Sequence, residues 1–391
     1  MRTVLTPALW VLWIVLAGAG GAGFAERLAW GHRLASYSSY VPWGMWVAAY
    51  IYFIGLSAGA FLLSSLVYVF RVRALERVGP LSLFVAVVTL LVALLTIWFD
   101  IGHMERFWEV YARPNFHSMM AWMVWLYTAY FLLLVAELSL ALRRNRRRLT
   151  PDQLARDDRL IQILGTIGVP LAIAFHGGVG ALFATVIARD LWHSPVYPLI
   201  FLTGALLTGG ALITVATVTL WPERGRGWQD LVQYLSRIVL ALLGVDVLLE
   251  WAEYSIPMWY GVGPVYSRLM YVLFGPFWYV YWVVHILLGV VVPAVLLWRG
   301  GTPWRVGTAS ALIAVTYFAE RLNLVIPGLV FPQLEGLESA YVTARLTYSY
   351  VPSLFEWQVV AGVVALGAAL FYLGYRYLPL VTPQGTAKEV A

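Results

Sequence analysis

The chain has 391 residues, of which 61% are hydrophobic and 12% are charged, whereas a soluble domain carries roughly a quarter of its residues charged. This composition excludes an ordinary soluble protein and favours one bundle of membrane-spanning helices. The net charge of +6 is small for this length. Because the basic residues lie in separate loops without interleaved aromatic residues, the sequence predicts no nucleic-acid partner.

Ten apolar stretches are long enough to cross about 30 Å of hydrocarbon at about 1.5 Å per residue. In chain order they cover 7–24, 43–70, 80–99, 116–142, 160–188, 195–221, 233–254, 269–298, 304–320 and 355–378. The first is too long for the apolar core of a signal peptide, so we expect a retained helix. The sequence thus predicts an all-α integral membrane protein of about ten spans.

A weak internal repeat divides these predicted helices into two groups. The third helix ends in Trp98-Phe99-Asp100, and the seventh contains Trp251-Ala252-Glu253, four helices later. This period predicts two four-helix bundles, helices 2–5 and 6–9, flanked by helices 1 and 10. We treat residues 1–391 as one membrane domain. Within it, the first bundle covers 40–190, the second bundle covers 195–322, and the last helix with its tail covers 355–391.

The distribution of basic residues predicts the orientation of the chain. Most of the Lys and Arg residues fall in loops on the side of the two termini, among them the RRNRRR cluster at 143–148 and Lys388 in the tail. By the positive-inside rule, both termini are cytoplasmic. We therefore expect a multi-pass membrane protein with its longer loops on the outer side.

Several ionisable residues fall inside predicted spans, where a charge costs about 2.5 to 3.5 kcal/mol on insertion scales. Asp246, Glu250 and Glu253 share one face of the seventh helix and cover about 10 Å of depth. Together with His285 in the eighth helix they form a candidate proton path. The alternative is that the outer carboxylates lie in the interface and pair with an arginine, Arg268 or Arg321.

Two further residues inside the spans have competing interpretations. Glu137 is a candidate member of the proton path, but its place near the basic end of the fourth helix more simply predicts an ion pair with Arg143 or Arg144. His176 is followed by two glycines that leave room for a planar ligand, or it is a hydrogen-bonded packing residue. Haem ligation by His176 and His285 is disfavoured because only these two histidines lie deep inside the spans, whereas bis-histidine cytochromes usually offer several at matching depth.

The chain contains no cysteine, which excludes disulfides and any iron–sulfur cluster held by this chain alone. Neither haem nor a metal site is therefore predicted. Redox chemistry would need a bound organic molecule or a partner subunit.

A distinctive motif follows the third helix: Asp100-Ile-Gly-His103-Met-Glu-Arg106-Phe, then Asn115-Phe-His117-Ser118-Met-Met-Ala-Trp122. It resembles the D-L-G-x-x-x-R-F and N-P-x-S-x-M-x-W signature of the NrfD/PsrC family, the membrane subunits of polysulfide reductase-like complexes. Further similar stretches run through residues 40–375, among them YVPSLFEW at 350–357. The chain resembles the ten-span branch of this family, which includes the hydrogenase subunit HybB and the sulfur-metabolism subunit DsrP.

The resemblance implies a membrane anchor subunit of a respiratory oxidoreductase that binds menaquinone or ubiquinone from the membrane pool. Such a subunit exchanges two electrons with a periplasmic, ferredoxin-like iron–sulfur subunit and, through it, with a catalytic subunit. The residues of the candidate proton path would add proton translocation to this electron transfer. The missing cysteines agree with this division, because the clusters would belong to the partner.

A quinone head needs donors for its carbonyl oxygens and acceptors for its hydroxyl protons. For this site we expect the outer ends of the helices to supply Asp100, His103, His176, Arg106, Arg189 and Trp43. The first three would exchange protons, an arginine would keep Asp100 ionised, and the tryptophan would form a wall. The alternatives are a helix-end salt bridge between Asp100 and Arg106, a surface position for His103 and an interfacial anchor role for Trp43.

Two other classes of function fit part of the pattern. The internal repeat and the midplane carboxylates also suggest a proton-coupled secondary transporter. A purely structural anchor for a peripheral enzyme would need neither feature.

Overall fold

The computed structural model describes residues 2–146, 149–298, 300–334, 336–341, 343 and 345–381, so Lys388 and the predicted tail lie outside the described residues. The long helices are α1 (Arg2–Trp30), α2 (Met45–Tyr68), α3 (Gly79–Asp100), α4 (Met119–Arg146), α5 (Pro151–Ala184), α6 (Tyr197–Leu220), α7 (Arg226–Tyr260), α8 (Gly263–Phe274), α9 (Val280–Trp298), α10 (Pro303–Val325) and α11 (Leu354–Tyr377). The described residues contain no strand.

Nine of the described helices are long and apolar enough to cross a membrane. Helix α10 has a similar length, 23 residues, but it is less apolar because it carries Arg305, Glu320 and Arg321. It packs against α6 and α9 inside the bundle. The all-α, multi-pass membrane architecture of about ten spans is therefore confirmed.

The eighth predicted span, 269–298, is not a single helix. Helix α8 ends at Phe274, and Gly275-Pro276 follows in a connection to α9. Proline lacks the amide hydrogen that a continuing helix would need. Helix α9 then begins as a π-helix, Val280–Val291, and continues as an α-helix, Val292–Trp298. π-Helical turns are rare and occur frequently at functional sites.

The helices pack as two rings. The first ring consists of α2, α3, α4 and α5, in which α2 and α4 each contact both α3 and α5. The second ring consists of α6, α7, α9 and α10, in which α6 and α9 each contact both α7 and α10. Helices α1 and α11 pack against one another, and α11 also contacts α3. The long, buried helices α2 and α6 join the two rings at the centre of the molecule.

The crossing of α2 and α6 depends on small residues. A Cβ atom added to Gly59 would lie 1.9 Å from the carbonyl oxygen of Ala205, and one added to Gly209 would lie 2.5 Å from the backbone nitrogen of Ala60. The two backbones therefore touch directly, as small residues permit between membrane helices.

Replacing Gly59 by Ala is expected to destabilise the protein by about 1 to 3 kcal/mol, because the backbones of α2 and α6 must move apart. Thermal unfolding of the purified protein in detergent measures the effect. The matched control is Gly21→Ala in α1, where nothing lies within 4 Å of the added Cβ. Equal melting temperatures for the two variants would contradict close packing at this crossing.

Candidate functional site

Asp100 is the last residue of α3, and its carboxylate faces the segment that joins α1 to α2. The hydroxyl of Tyr37 donates to Asp100 Oδ1 at 2.8 Å. Arg27 of α1 donates to the carbonyl oxygens of Phe99 at 2.7 Å and of Ile101 at 2.8 Å. The guanidinium thereby satisfies carbonyl oxygens at the end of α3 and places a positive charge near Asp100.

We call the membrane face at which α3 ends the Asp100 face, and the opposite one the Arg143 face.

A second carboxylate, Glu356, lies in the first turn of α11 on the same face. Its Oε1 accepts a hydrogen bond from Tyr350 at 2.7 Å, and its Oε2 accepts one from the amide of Ser353, also at 2.7 Å. The Tyr350 oxygen in turn accepts the amide hydrogen of Met45 at 2.7 Å. Tyr350 therefore links the start of α2 to the start of α11.

His32, just after α1, lies between aromatic rings. Its ring centroid is 5.5 Å from that of Tyr37 and 5.7 Å from that of Trp46. Its Nε2 is shielded from solvent and has no hydrogen-bond partner among the described residues. Burial lowers the pKa of His32, and the charge of Arg27 acts in the same direction. The imidazole is therefore neutral at neutral pH, and we expect it to hydrogen-bond a ligand.

These residues form one cluster, which brings together α1, α2, α3 and α11. We call it the Asp100 cluster, and its members are Arg27, His32, Tyr37, Trp46, Asp100, Tyr350 and Glu356. Of the residues predicted for the site it contains only Asp100.

His103 and Arg106 lie outside the Asp100 cluster, on the surface. Their side chains are 70% and 62% exposed. His103 Nδ1 is 3.0 Å from Glu105 Oε1, and Arg106 Nε is 4.0 Å from the same oxygen. Asp100 has Tyr37 as its partner, so the alternative salt bridge between Asp100 and Arg106 is not formed.

His176 is fully buried deeper in the bundle. Its Nε2–H donates to the carbonyl oxygen of Phe201 at 2.8 Å, and its Nδ1 has no partner among the described residues. The ring lies beside Gly55 of α2. Gly55 is nine residues beyond Trp46, about 14 Å along the helix axis. The structure therefore does not bring His176 to Asp100.

Arg189 and Trp43 hold the loops of the Asp100 face. Arg189 Nη1 donates to three carbonyl oxygens in the segment 328–331 at 3.3 to 3.4 Å. Trp43 stacks on Trp192, with ring centroids 5.8 Å apart. Arg189 thus supports the connection between α10 and α11, and Trp192, against which Trp43 stacks, donates to the carbonyl oxygen of Leu324 at the end of α10 at 2.8 Å.

The carboxylates predicted on one face of the seventh helix point from α7 into the second ring. Asp246 is buried and accepts a hydrogen bond from Thr203 of α6 at 2.9 Å. Glu253 accepts one from Ser194 at 2.7 Å. The alternative partner Arg268 is not used, because it forms an ion pair with Asp190 at 3.1 Å.

Glu250 joins α7 to the π-helical segment of α9. Its Oε2 lies 2.9 Å from Nε2 of the fully buried His285. A small cavity of about 20 Å³, lined in part by Glu250, Glu253, Glu320 and Arg321, adjoins this pair. Its size suits about one water molecule.

Glu320 and Arg321, which lie at the end of a predicted span, belong to the same group of ionisable side chains. Arg321 is buried, its Nη1 donates to Glu320 Oε1 at 3.3 Å, and its guanidinium lies 4.4 Å above the ring of Phe201. We call Asp246, Glu250, Glu253, His285, Glu320 and Arg321 the ion cluster.

The predicted ion pair of Glu137 with Arg143 or Arg144 is wrong. Those arginines pair with Asp157 at 3.1 Å and with Asp158 at 3.0 Å, because the start of α5 lies beside the end of α4. Glu137 is fully buried instead, and neither of its carboxyl oxygens has a hydrogen-bond partner among the described residues.

The sequence carried a signal for some of the residues that were missed. Tyr350 and Glu356 belong to the YVPSLFEW stretch, and a carboxylate at the start of an apolar helix invites the search for a partner. His32 and Tyr37 lie in a polar connection between two spans, where nothing in the chain order indicates that they approach Asp100.

Comparison with known proteins places the chain in a family. Residues 34–333 match the family described as polysulphide reductase, NrfD. A selenate reductase subunit of Mesobacillus selenatarsenatis is 34% identical, over 93% of this chain and 91% of that protein. The Hdr-like menaquinol oxidoreductase integral membrane subunit of Archaeoglobus fulgidus is 28% identical, over 96% and 94%. The menaquinone reductase integral membrane subunit of Nitratidesulfovibrio vulgaris is 24% identical, over 95% and 91%. The chain belongs to the NrfD polysulphide reductase family.

Proposed function

We propose that this chain is the membrane anchor subunit of a multi-subunit respiratory oxidoreductase and binds a quinone or quinol head in the Asp100 cluster. The names of two relatives support the substrate class, since one is a menaquinol oxidoreductase subunit and the other a menaquinone reductase subunit. Menaquinone is accordingly the first quinone to test, with ubiquinone as the second.

The residues of the Asp100 cluster fit such a head. An oxidised quinone offers two carbonyl oxygens as acceptors, and a quinol offers two hydroxyl groups as donors. The unpartnered Nε2 of His32 lies in the same cluster as the carboxylate of Asp100 and carries the proposal. Tyr37 and Trp46 supply aromatic surface beside that nitrogen. In quinol oxidation His32 and Asp100 would receive the hydroxyl protons.

Electrons would leave through a partner docked on the Asp100 face, because this chain has no cysteine to hold a cluster. The connection between α3 and α4 supports a docking role, since it carries exposed apolar side chains at Ile101, Phe107, Trp108, Tyr111 and Phe116. We propose a ferredoxin-like iron–sulfur subunit there and, through it, a catalytic subunit. By the positive-inside rule this face would be periplasmic, with both termini in the cytoplasm.

We also propose that the ion cluster moves protons during turnover. Four carboxylates with one arginine and one histidine are difficult to keep fully ionised in a bundle, so proton exchange among them is expected. The same groups would serve the alternative function, a proton-coupled secondary transporter. The relatives favour the oxidoreductase, because three of them are named as subunits of reductases or oxidoreductases.

Fluorescence tests the quinone site. A short-chain menaquinone analogue is expected to quench tryptophan emission saturably, and Trp46→Phe is expected to reduce the saturable part, since Trp46 lies beside His32. The control is Trp259→Phe, whose side chain is 90% exposed on α7. Quenching that rises linearly without saturation, or that Trp46→Phe leaves unchanged, would contradict the proposed site.

A further inference from the structure

Glu137 is a buried ionisable group that the proposed function does not use. It lies in α4 between α2 and α5, and neither carboxyl oxygen has a hydrogen-bond partner among the described residues. An ionised carboxylate without a partner in such a place is strongly unfavourable. The group is therefore held protonated unless a base or water reaches it.

The surroundings of Glu137 leave room for its carboxyl group. A Cβ atom added to Gly165 of α5 would lie 3.4 Å from Glu137 Oε1 and 2.7 Å from Val69 Cγ2. The glycine therefore lets α5 approach without filling the space beside the carboxyl group. A larger residue at position 165 would press against Val69 Cγ2, which lies nearer to the added Cβ than Glu137 Oε1 does.

Hydroxyl groups lie between α2 and α4 on the side of Glu137 that is nearer the Asp100 face. Tyr130, seven residues before Glu137, donates to the carbonyl oxygen of Ser57 at 3.2 Å, and Ser57 Oγ donates to the carbonyl oxygen of Ala86 at 2.8 Å. One turn nearer the Asp100 face, the hydroxyl groups of Tyr50 and Tyr127 are in contact.

In the other direction Glu137 approaches the Arg143 face. Tyr68, the last residue of α2, interacts electrostatically with Glu137 and also with Arg144 and Asp158. Arg144 and Asp158 are paired with one another at 3.0 Å, and Asp158 is exposed. The described residues thus offer polar groups on both sides of Glu137.

We infer that Glu137 is the proton-exchanging group of a route through the first ring, which connects the Asp100 cluster with water at the Arg143 face. The protonated carboxyl group gives its proton to an acceptor on one side as its O–H bond breaks, and the carboxylate then takes a proton from a donor on the other side, so protons move and no electrons are transferred. This inference rests on the quinone site proposed above. The route is separate from the ion cluster, whose members all lie in the second ring or its connections.

Infrared difference spectroscopy of the full-length protein in membranes tests whether Glu137 exchanges protons. The wild type is expected to show a protonated-carboxyl band that shifts in D₂O and disappears in Glu137→Gln. Glu105→Gln, at an exposed carboxylate, is the matched control and should keep the band. Protonated-carboxyl absorption that is identical in the wild type and in Glu137→Gln, or a Glu137 component that does not shift in D₂O, would overturn the inference.

Turnover of the isolated complex with a menaquinol analogue tests the route. Glu137→Gln is expected to lower the rate at least tenfold, and Glu137→Asp to recover part of it, while the saturable quenching by the quinone analogue stays at the wild-type level. Wild-type turnover in Glu137→Gln would overturn the route. If the wild-type protein itself does not bind the quinone analogue, the proposed function is refuted. The infrared shift in D₂O would still decide whether Glu137 exchanges protons.

Discussion

Replacing Asp100 by Asn is expected to lower quinol oxidation by the assembled complex by about 100-fold or more, the range in which a positioned acid or base contributes. Asparagine keeps the size of the side chain, and its carbonyl oxygen still accepts the hydrogen bond from Tyr37. It cannot accept a proton from a hydroxyl group. The change therefore removes the chemistry and preserves the local fold, with Arg27 still holding the end of α3.

Steady-state kinetics with a menaquinol analogue and an artificial electron acceptor measures this effect. We expect a fall in kcat with a smaller change in KM, because the ring of the quinol still meets Trp46 and the neutral imidazole of His32. Glu105→Gln is the control, since that carboxylate lies on the same face but is 69% exposed. A kcat within twofold of the wild type in Asp100→Asn would contradict the role of Asp100.

The sequence predicted the elements of this fold because the signal was strong. Apolar stretches of 20 residues or more are difficult to mistake for anything other than spans. The boundaries were less predictable, since Gly275-Pro276 breaks the apolar run before α9. The π-helical hydrogen-bond pattern of Val280–Val291 has no counterpart in the hydrophobicity of the chain.

The candidate site was less predictable than the fold. The motif predicts Asp100 for the site, but its partner Tyr37 lies 63 positions earlier, and Tyr350 reaches Met45 across 305 positions. Such contacts depend on how α1 and α11 pack beside α3, and neither spacing nor composition encodes that arrangement. Conversely, His103 and Arg106 follow Asp100 closely in sequence, yet the short 3₁₀ turn Met104–Arg106 places them at the surface.

Glu137 and the carboxylates of the ion cluster differ in how they are partnered. In the first ring Glu137 stands without a hydrogen-bond partner among the described residues. In the second ring Asp246 accepts from Thr203, Glu250 pairs with His285, and each contact crosses from one helix to another. We propose that movement of one helix breaks such a contact and changes the proton affinities of its groups, so that a redox reaction elsewhere in the complex drives proton transfer.

Replacing Asp246 by Asn is therefore expected to lower the number of protons moved per electron, to the value that quinol chemistry alone supplies. Asp246 is the deepest carboxylate of the α7 file, and asparagine can still accept the hydrogen bond from Thr203. Proton uptake and electron transfer are measured together in vesicles that contain the complete complex, with Asp152→Asn, at an exposed position, as the control. An unchanged proton-to-electron ratio would exclude a pump through the ion cluster. Quinol binding should remain, because the Asp100 cluster is built from α1, α2, α3 and α11, and none of these helices contributes a residue to the ion cluster.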